Sequence, residues 1–241
     1  MNFQQLIDNL ELITGRIKKA AEQSGRPAES VKLIAVTKGQ PVEVITQALD
    51  LGIKRFGENY PEETDSKIRQ LPGLENEIEW HMIGHIQSRK KSYIVDHFSF
   101  IHSVDGLHVA EVLSKELVMK GKSLPVLLEM NLTGEKSKFG FPAWDDTTFD
   151  NTLKEIEEIF YWRSIFINGL MTMPPLSEDP NASRVVYKRL QDVQTILKKK
   201  YPDQNWTELS MGSSFDFDVA IQEGATMIRI GQALFGPRIQ I

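Results

Sequence analysis

The sequence predicts an α/β protein: a single (β/α)8 TIM barrel spanning residues 1–241, with one extra helix at its N-terminus. Three observations lead there. Eight short runs rich in β-branched and aliphatic residues alternate with helical patterns, and such alternation builds a parallel sheet. The 241 residues suit one barrel, which typically takes about 250. No stretch between the units reads as an interdomain linker. An open doubly wound sheet is the competing arrangement, with a ligand where the strand order reverses.

The first segment, residues 3–24, places Leu6, Leu10, Ile13, Ile17 and Ala21 at helical spacing, and Gly25 and Pro27 end it. Strands are expected at residues 32–37, 55–56, 79–83, 98–102, 125–131, 165–171, 207–210 and 227–230. The second is the weakest, because its apolar part is so short. Each strand but the last precedes a helical pattern, as at residues 41–51, 105–120 and 182–200. The last runs into a short tail around Ala233 and Phe235.

Composition narrows the function. A chain that is 41% hydrophobic and 25% charged can bury a core, and it carries no low-complexity tract. With 28 basic and 33 acidic side chains the net charge is −5, which argues against a nucleic-acid partner. There is no cysteine, so disulfides, thiolate metal sites and cysteine nucleophiles are excluded. No apolar run approaches a membrane span, and Asp8 and Glu11 interrupt any signal-peptide core. A cytoplasmic protein is expected.

In a barrel the chemistry gathers at the C-terminal ends of the strands. Alternation puts Ile34, Val36 and Lys38 on one side of the first strand, so Lys38 leaves a greasy face at the mouth. Partial desolvation there would favour the free amine that a Schiff base needs. Position alone favours the plainer reading, a lysine reaching into water. After the last two strands come LSMGSS (residues 209–214) and MIRIGQALFG (residues 227–236). Loops at those two places commonly build phosphate sites from main-chain N–H groups and hydroxyls, and Ser210, Gly212, Gly231 and the Gln232 amide suit the task. Arg229, between Ile228 and Ile230, must find an acceptor: a core carboxylate, or a ring nitrogen or anion at the mouth.

Other motifs carry less. His81 and His85 are four apart, but the glutamate of a helical zinc motif is absent and no carboxylate partner stands out, so no metal site is expected. FGEN, residues 56–59, sets a carboxylate and an amide past the second strand, as loop hydrogen-bonders or ligand contacts. Met171, Met173 and Met211 read as adaptable packing. Lys198 to Lys200 read as a solvated helix end.

Taken together, AVTKGQP, FGENYPEE, WHMIGHIQSRK, HSVD, EKSKFG, GLMTMP and LSMGSSFDFDVAIQEGATMIRIG cover nearly the whole chain in order. In this the chain resembles the pyridoxal phosphate homeostasis protein family, which has the alanine racemase type of barrel. The resemblance implies that Lys38 carries pyridoxal 5′-phosphate as a Schiff base and that Arg229 faces the pyridine nitrogen. It further implies that Ser210, Gly231 and the Gln232 amide hold the phosphate, with Asn59 beside the ring and His85 in a nearby loop. Departures are Gly39 and Gln40 for a polar and basic pair, Ser213 for a second methionine, Gln232 for a small hydroxyl residue, and no charged dipeptide after the final arginine.

The function implied is cofactor holding in a monomer with little or no turnover and no catalytic residue. Apo-enzymes that need the cofactor are the expected recipients. The competing reading is a single-domain amino-acid racemase, which needs a second base such as Tyr60. A phosphosugar aldolase or isomerase, pairing Lys38 with Glu129, is a third. Arginine keeps its proton, and the chain's end at Ile241 leaves no residues for the β-rich domain of related racemases, so the carrier is preferred.

Overall fold

The structure, a computed structural model, describes residues 2–237. Eight parallel strands close on themselves: β1 (Lys32–Val36), β2 (Arg55–Glu58), β3 (Glu79–Met82), β4 (Phe100–Val104), β5 (Leu124–Asn131), β7 (Ile165–Met171), β8 (Glu208–Ser213) and β9 (Met227–Ile230). Each pairs with its neighbour around the ring, β4 with β5 and β9 with β1 included, so the barrel has no open edge. The two-residue β6 (Phe141–Pro142), unforeseen in the sequence, only extends the pairing at the end of β5. A closed parallel barrel, not an open sheet, is therefore the fold.

Helices cover the outside: α2 (Val42–Asp50), α3 (Pro61–Arg69), α4 (Lys91–His97), α5 (Leu107–Met119), α6 (Asp146–Ile159), α7 (Arg184–Lys200) and α8 (Phe217–Gln222). The helix after β9, α9 (Gln232–Phe235), has only four residues, too few to cover the seam between β9 and β1. The N-terminal α1 (Phe3–Gln23) supplies the missing cover. A reciprocal cap between Asn2 and Gln5 starts it, and Leu6, Ile13, Ile17, Ala20 and Ala21 are buried. Arg16 pairs with Asp218 and lies over the Phe217 ring, while Asn9 donates to the Leu234 carbonyl at 3.0 Å.

Strand alternation divides the core in two. Ala35, Phe56, Met82, Ile101, Leu128, Leu170 and Ile228 join the large layer between strands and helices. Ile34, Leu127, Met171 and Met227 form a small apolar plug inside the ring, with Phe100 against it. The buried interior also holds polar side chains, His81, His102, Ser210 and Arg229 among them.

Strand ends differ from expectation where neighbours intervene. β2 runs two residues further, because Gly57 and Glu58 are laddered by Val36, His81 and Met82 on either side. A side chain at Gly57 would meet Ile34 and Ile83 at 3.0 Å, so the bare backbone fits the narrow interior. β4 starts two residues later because Phe98 ends α4, its N–H bonded to the Ile94 carbonyl.

Candidate functional site

Lys38 lies in a turn two residues beyond β1, half-buried, at the C-terminal mouth. The turn is fastened from both sides. The Thr37 N–H donates to the Gly57 carbonyl, and the Gln40 N–H donates back to Thr37. Gly39 takes the left-handed conformation, φ +66°, which lets the chain reverse there. Below the turn sits Lys67, buried, whose ammonium donates to the Thr37 carbonyl at 2.7 Å, to Glu58 Oε1 at 2.6 Å and to Glu63 Oε1 at 2.6 Å. Glu58 also accepts from the Thr37 hydroxyl, and Glu63 accepts from the Gly39 N–H. One cation thus ties both neighbours of Lys38 to β2 and α3. Burial pushes Glu58 up to about 6 against the pull of Lys67.

Arg229 is buried in β9, in register with Ile34 of β1. It finds neutral acceptors rather than a core carboxylate: one arm donates to Ser210 Oγ at 2.6 Å and the other to the Thr172 carbonyl at 3.1 Å. Ser210 also meets His102 Nδ1 at 2.8 Å, and His102 Nε2 meets His81 Nδ1 at 2.8 Å. Ser210 therefore stands inside the barrel, fully buried, with its hydroxyl committed to Arg229 and His102. The sequence pattern, which ends β8 at residue 210, predicts it at a phosphate loop instead. The strand continues to Ser213.

The hydroxyl at the loop is Ser214. Its Oγ accepts from the main-chain N–H groups of Gly231 and Ala233, both at 3.2 Å, on either side of Gln232. Gly231 lets this backbone lie against β1, since a Cβ there would come 3.3 Å from the Val36 carbonyl and side chain. Asp216 shapes the loop by accepting from the Ser213 N–H and hydroxyl and from the Tyr187 hydroxyl at 2.6 Å.

Around the mouth, the Asn59 side-chain oxygen is buried with no hydrogen-bond partner among the described residues. Its backbone is pressed against Gly84, where a Cβ would come within 2.4 Å. Glu129, at the end of β5, is pushed up to about 7 by burial and by Asp105, against Arg229. Asp105 pairs with His85 at 2.8 Å, and the His85 ring stacks on Phe139. His85 is thus at this rim, while His81 turns to His102; among the described residues no three His, Asp or Glu side chains gather as metal ligands. Tyr60 is 57% exposed. Met171 and Met211 are buried packing, Met173 is exposed, and Lys198 to Lys200 form the last turn of α7. The stretch after the final arginine lies outside the described residues.

Residues 9–238 match the family described as alanine racemase, N-terminal domain. A pyridoxal phosphate homeostasis protein of Vibrio alginolyticus is 36% identical over 232 residues, covering 95% of this chain and 96% of that one. This chain belongs to the pyridoxal phosphate homeostasis protein family. The Escherichia coli K12 member is 34% identical, with 98% of both chains covered. Among solved structures, PipY of Synechococcus elongatus PCC7942 with PLP bound superimposes with a TM-score of 0.77 at 34% identity, over 86% of this chain and 93% of that one. An alanine racemase from Clostridium difficile shares the fold at 16% identity and TM-score 0.72, over 98% of this chain but 58% of its own.

Of the residues singled out by this family resemblance, Lys38, Asn59, Gly231 and Gln232 lie at strand ends or in mouth loops, and Arg229 lies beneath them. His102, Ser214, Glu63 and Lys67 were not singled out. For His102 a signal existed: it sits in FIHSV, in phase with Phe100, a polar side chain on an inward face. Glu63 and Lys67 look like an ordinary surface pair four apart on a helix.

Proposed function

We propose that this chain holds pyridoxal 5′-phosphate at the barrel mouth, covalently through Lys38, and serves intracellular cofactor homeostasis with little or no turnover. The observation that carries it is the fastened Lys38 turn standing at the same mouth as the buried, neutrally partnered Arg229 and the Gly231–Ala233 amides. A relative at 34% identity is solved with PLP bound, which supports the choice of ligand.

The residues fit such a group. Gly231, the amide of Gln232 and the Ala233 N–H offer main-chain donors to a phosphate, with Ser214 as the hydroxyl beside them in place of Ser210. Arg229 offers a fixed cation to a ring nitrogen, and Asn59 an unpartnered carbonyl oxygen at the rim. When bound, the cofactor supplies an aldehyde and an electron-withdrawing ring. Arg229 keeps its own proton and donates only a hydrogen bond, which leaves that ring a weak electron sink. Tyr60, exposed at the rim, is not held as a second base. Released cofactor would go to apo-enzymes that require it, from a monomeric, cytoplasmic carrier. Among the described residues no helix is long and apolar enough to cross a membrane.

Two measurements test this. Titration with pyridoxal phosphate should give a visible absorption band in the native chain that Lys38→Ala lacks while keeping its fold. Cα hydrogen–deuterium exchange of L-alanine and L-serine by the loaded protein should stay far below enzyme-like rates, whose median is about 10 per second. Rapid exchange with accumulation of the D-enantiomer, abolished in Lys38→Ala, would instead identify a racemase.

A further inference from the structure

The buried row His81–His102–Ser210–Arg229 crosses the barrel interior below the mouth, and nothing in the cofactor reading requires its two histidines. We infer that it is a directional hydrogen-bond lock: His102 and Ser210 are positioning residues that fix where Arg229 points, and both histidines are neutral with the proton on Nε2.

The direction follows from the one member that cannot change. A guanidinium only donates, so Ser210 Oγ accepts from Arg229 at 2.6 Å. The Ser210 hydroxyl hydrogen is fully buried and needs an acceptor. The other group at hydrogen-bond distance is His102 Nδ1, at 2.8 Å. If Nδ1 carried a proton, Ser210 would accept twice and its own hydrogen would be left unpaired. His102 Nδ1 therefore accepts. Full burial beside Arg229 also keeps a second cation off this ring. A neutral His102 that accepts on Nδ1 carries its proton on Nε2, and donates it to His81 Nδ1 at 2.8 Å. By the same logic His81 carries its proton on Nε2. That atom has no hydrogen-bond partner among the described residues and lies 3.8 Å from Glu79 Oε2, where β3 begins.

The row then runs one way, from a permanent donor to a carboxylate at the opposite end of the barrel. Each link admits a single polarity, so Arg229 cannot rotate away from Ser210 without leaving a buried guanidinium N–H unpaired. Because arginine neither gives up nor takes a proton, the row carries no protons to the mouth. It acts only by orientation.

The ring state is read without cofactor, by long-range ¹⁵N–¹H correlation spectra of the histidine rings at pH 7.5. Two buried rings should appear as neutral Nε2–H tautomers, assigned by their loss in His81→Gln and His102→Gln. An Nδ1–H tautomer or a cationic ring at His102 overturns the lock. The second readout rests on the cofactor reading. Ser210→Ala should weaken pyridoxal phosphate binding about three- to ten-fold and shift the bound absorption band, with Ser210→Thr restoring both. A folded Ser210→Ala with native band and affinity also overturns it. If the native chain took up no cofactor, the reading of the site would fail, while the ring spectra would still decide the lock.

Discussion

The two groups that flank the mouth are held by opposite means. The Lys38 turn is fastened by charge: Lys67 stands between two carboxylates and holds the Thr37 carbonyl, while Glu63 holds the Gly39 N–H. Arg229 is itself the charge, and its resolved contacts are a hydroxyl and a carbonyl, with two buried histidines behind the hydroxyl. The contrast suits the two tasks. At Lys38 the carboxylates of Glu58 and Glu63 act one residue to either side, on Thr37 and Gly39. In the proposed site Arg229 faces a ring nitrogen, and its neutral acceptors hold it while leaving its charge for the ligand. Buried charge is costly unless paired, so the first arrangement is fragile to loss of a partner and the second to loss of geometry.

Lys67→Met should produce the largest effect. Removing one member of a buried ion cluster costs about 3–5 kcal/mol, and the Thr37 carbonyl loses its donor as well. Chemical denaturation should show the loss, and Glu58→Gln in the same chain should recover part of it. An unchanged midpoint would mean that the cluster does not hold the turn.

Next is Glu129→Gln, with the opposite sign. Glu129 titrates at about 7 in the fold against an ordinary 4.5. The folded chain keeps that proton after the unfolded chain has released it, so stability falls as pH rises from about 4.5 through about 7. The variant should be more stable than the native chain at pH 8, by up to about 3 kcal/mol, and nearly equal at pH 4. The buried histidines lean the other way. Their pKa values are depressed below 6.5, so their contribution is intact above that value and is lost as acid protonates the unfolded chain. His102→Gln should therefore flatten the fall in stability below pH 6.5. Equal pH slopes in the variant and native chains would mean that His102 is not held neutral.

Arg229→Gln should lower affinity for pyridoxal phosphate about ten- to a hundred-fold, the worth of one charge-assisted hydrogen bond at about 1.5–3 kcal/mol. Thr37→Val, which removes only a hydroxyl from Glu58, should cost about 1 kcal/mol. If it cost as much as Lys67→Met, the hydroxyl rather than the ammonium would be the fastening.

The barrel was legible in the sequence, and so was the placing of Lys38 and Arg229 near its mouth, because period-2 runs alternating with helical ones survive in one dimension. Ile34, Val36 and Lys38 could be aligned by counting, and so could Met227, Arg229 and Gly231. What could not be read was partnership across strands. Ser210 and Ser214 are four apart in one loop-like string, and only the actual end of β8 separates a hydroxyl inside the barrel from one at the amides of Gly231 and Ala233. Lys67 meets Thr37 across thirty positions, and nothing near Lys67 in the chain marks it as buried. His81 and His85 looked like a pair, yet one closes on His102 and the other on Asp105.

In the proposed site Lys38, among all the lysines of the chain, carries the cofactor. Borohydride reduction of the loaded native protein, followed by proteolysis and mass spectrometry, tests it most directly. The expected result is one pyridoxyl-modified site at Lys38, with none in Lys38→Ala. Modification at another lysine, or an adduct that persists in folded Lys38→Ala, would contradict it.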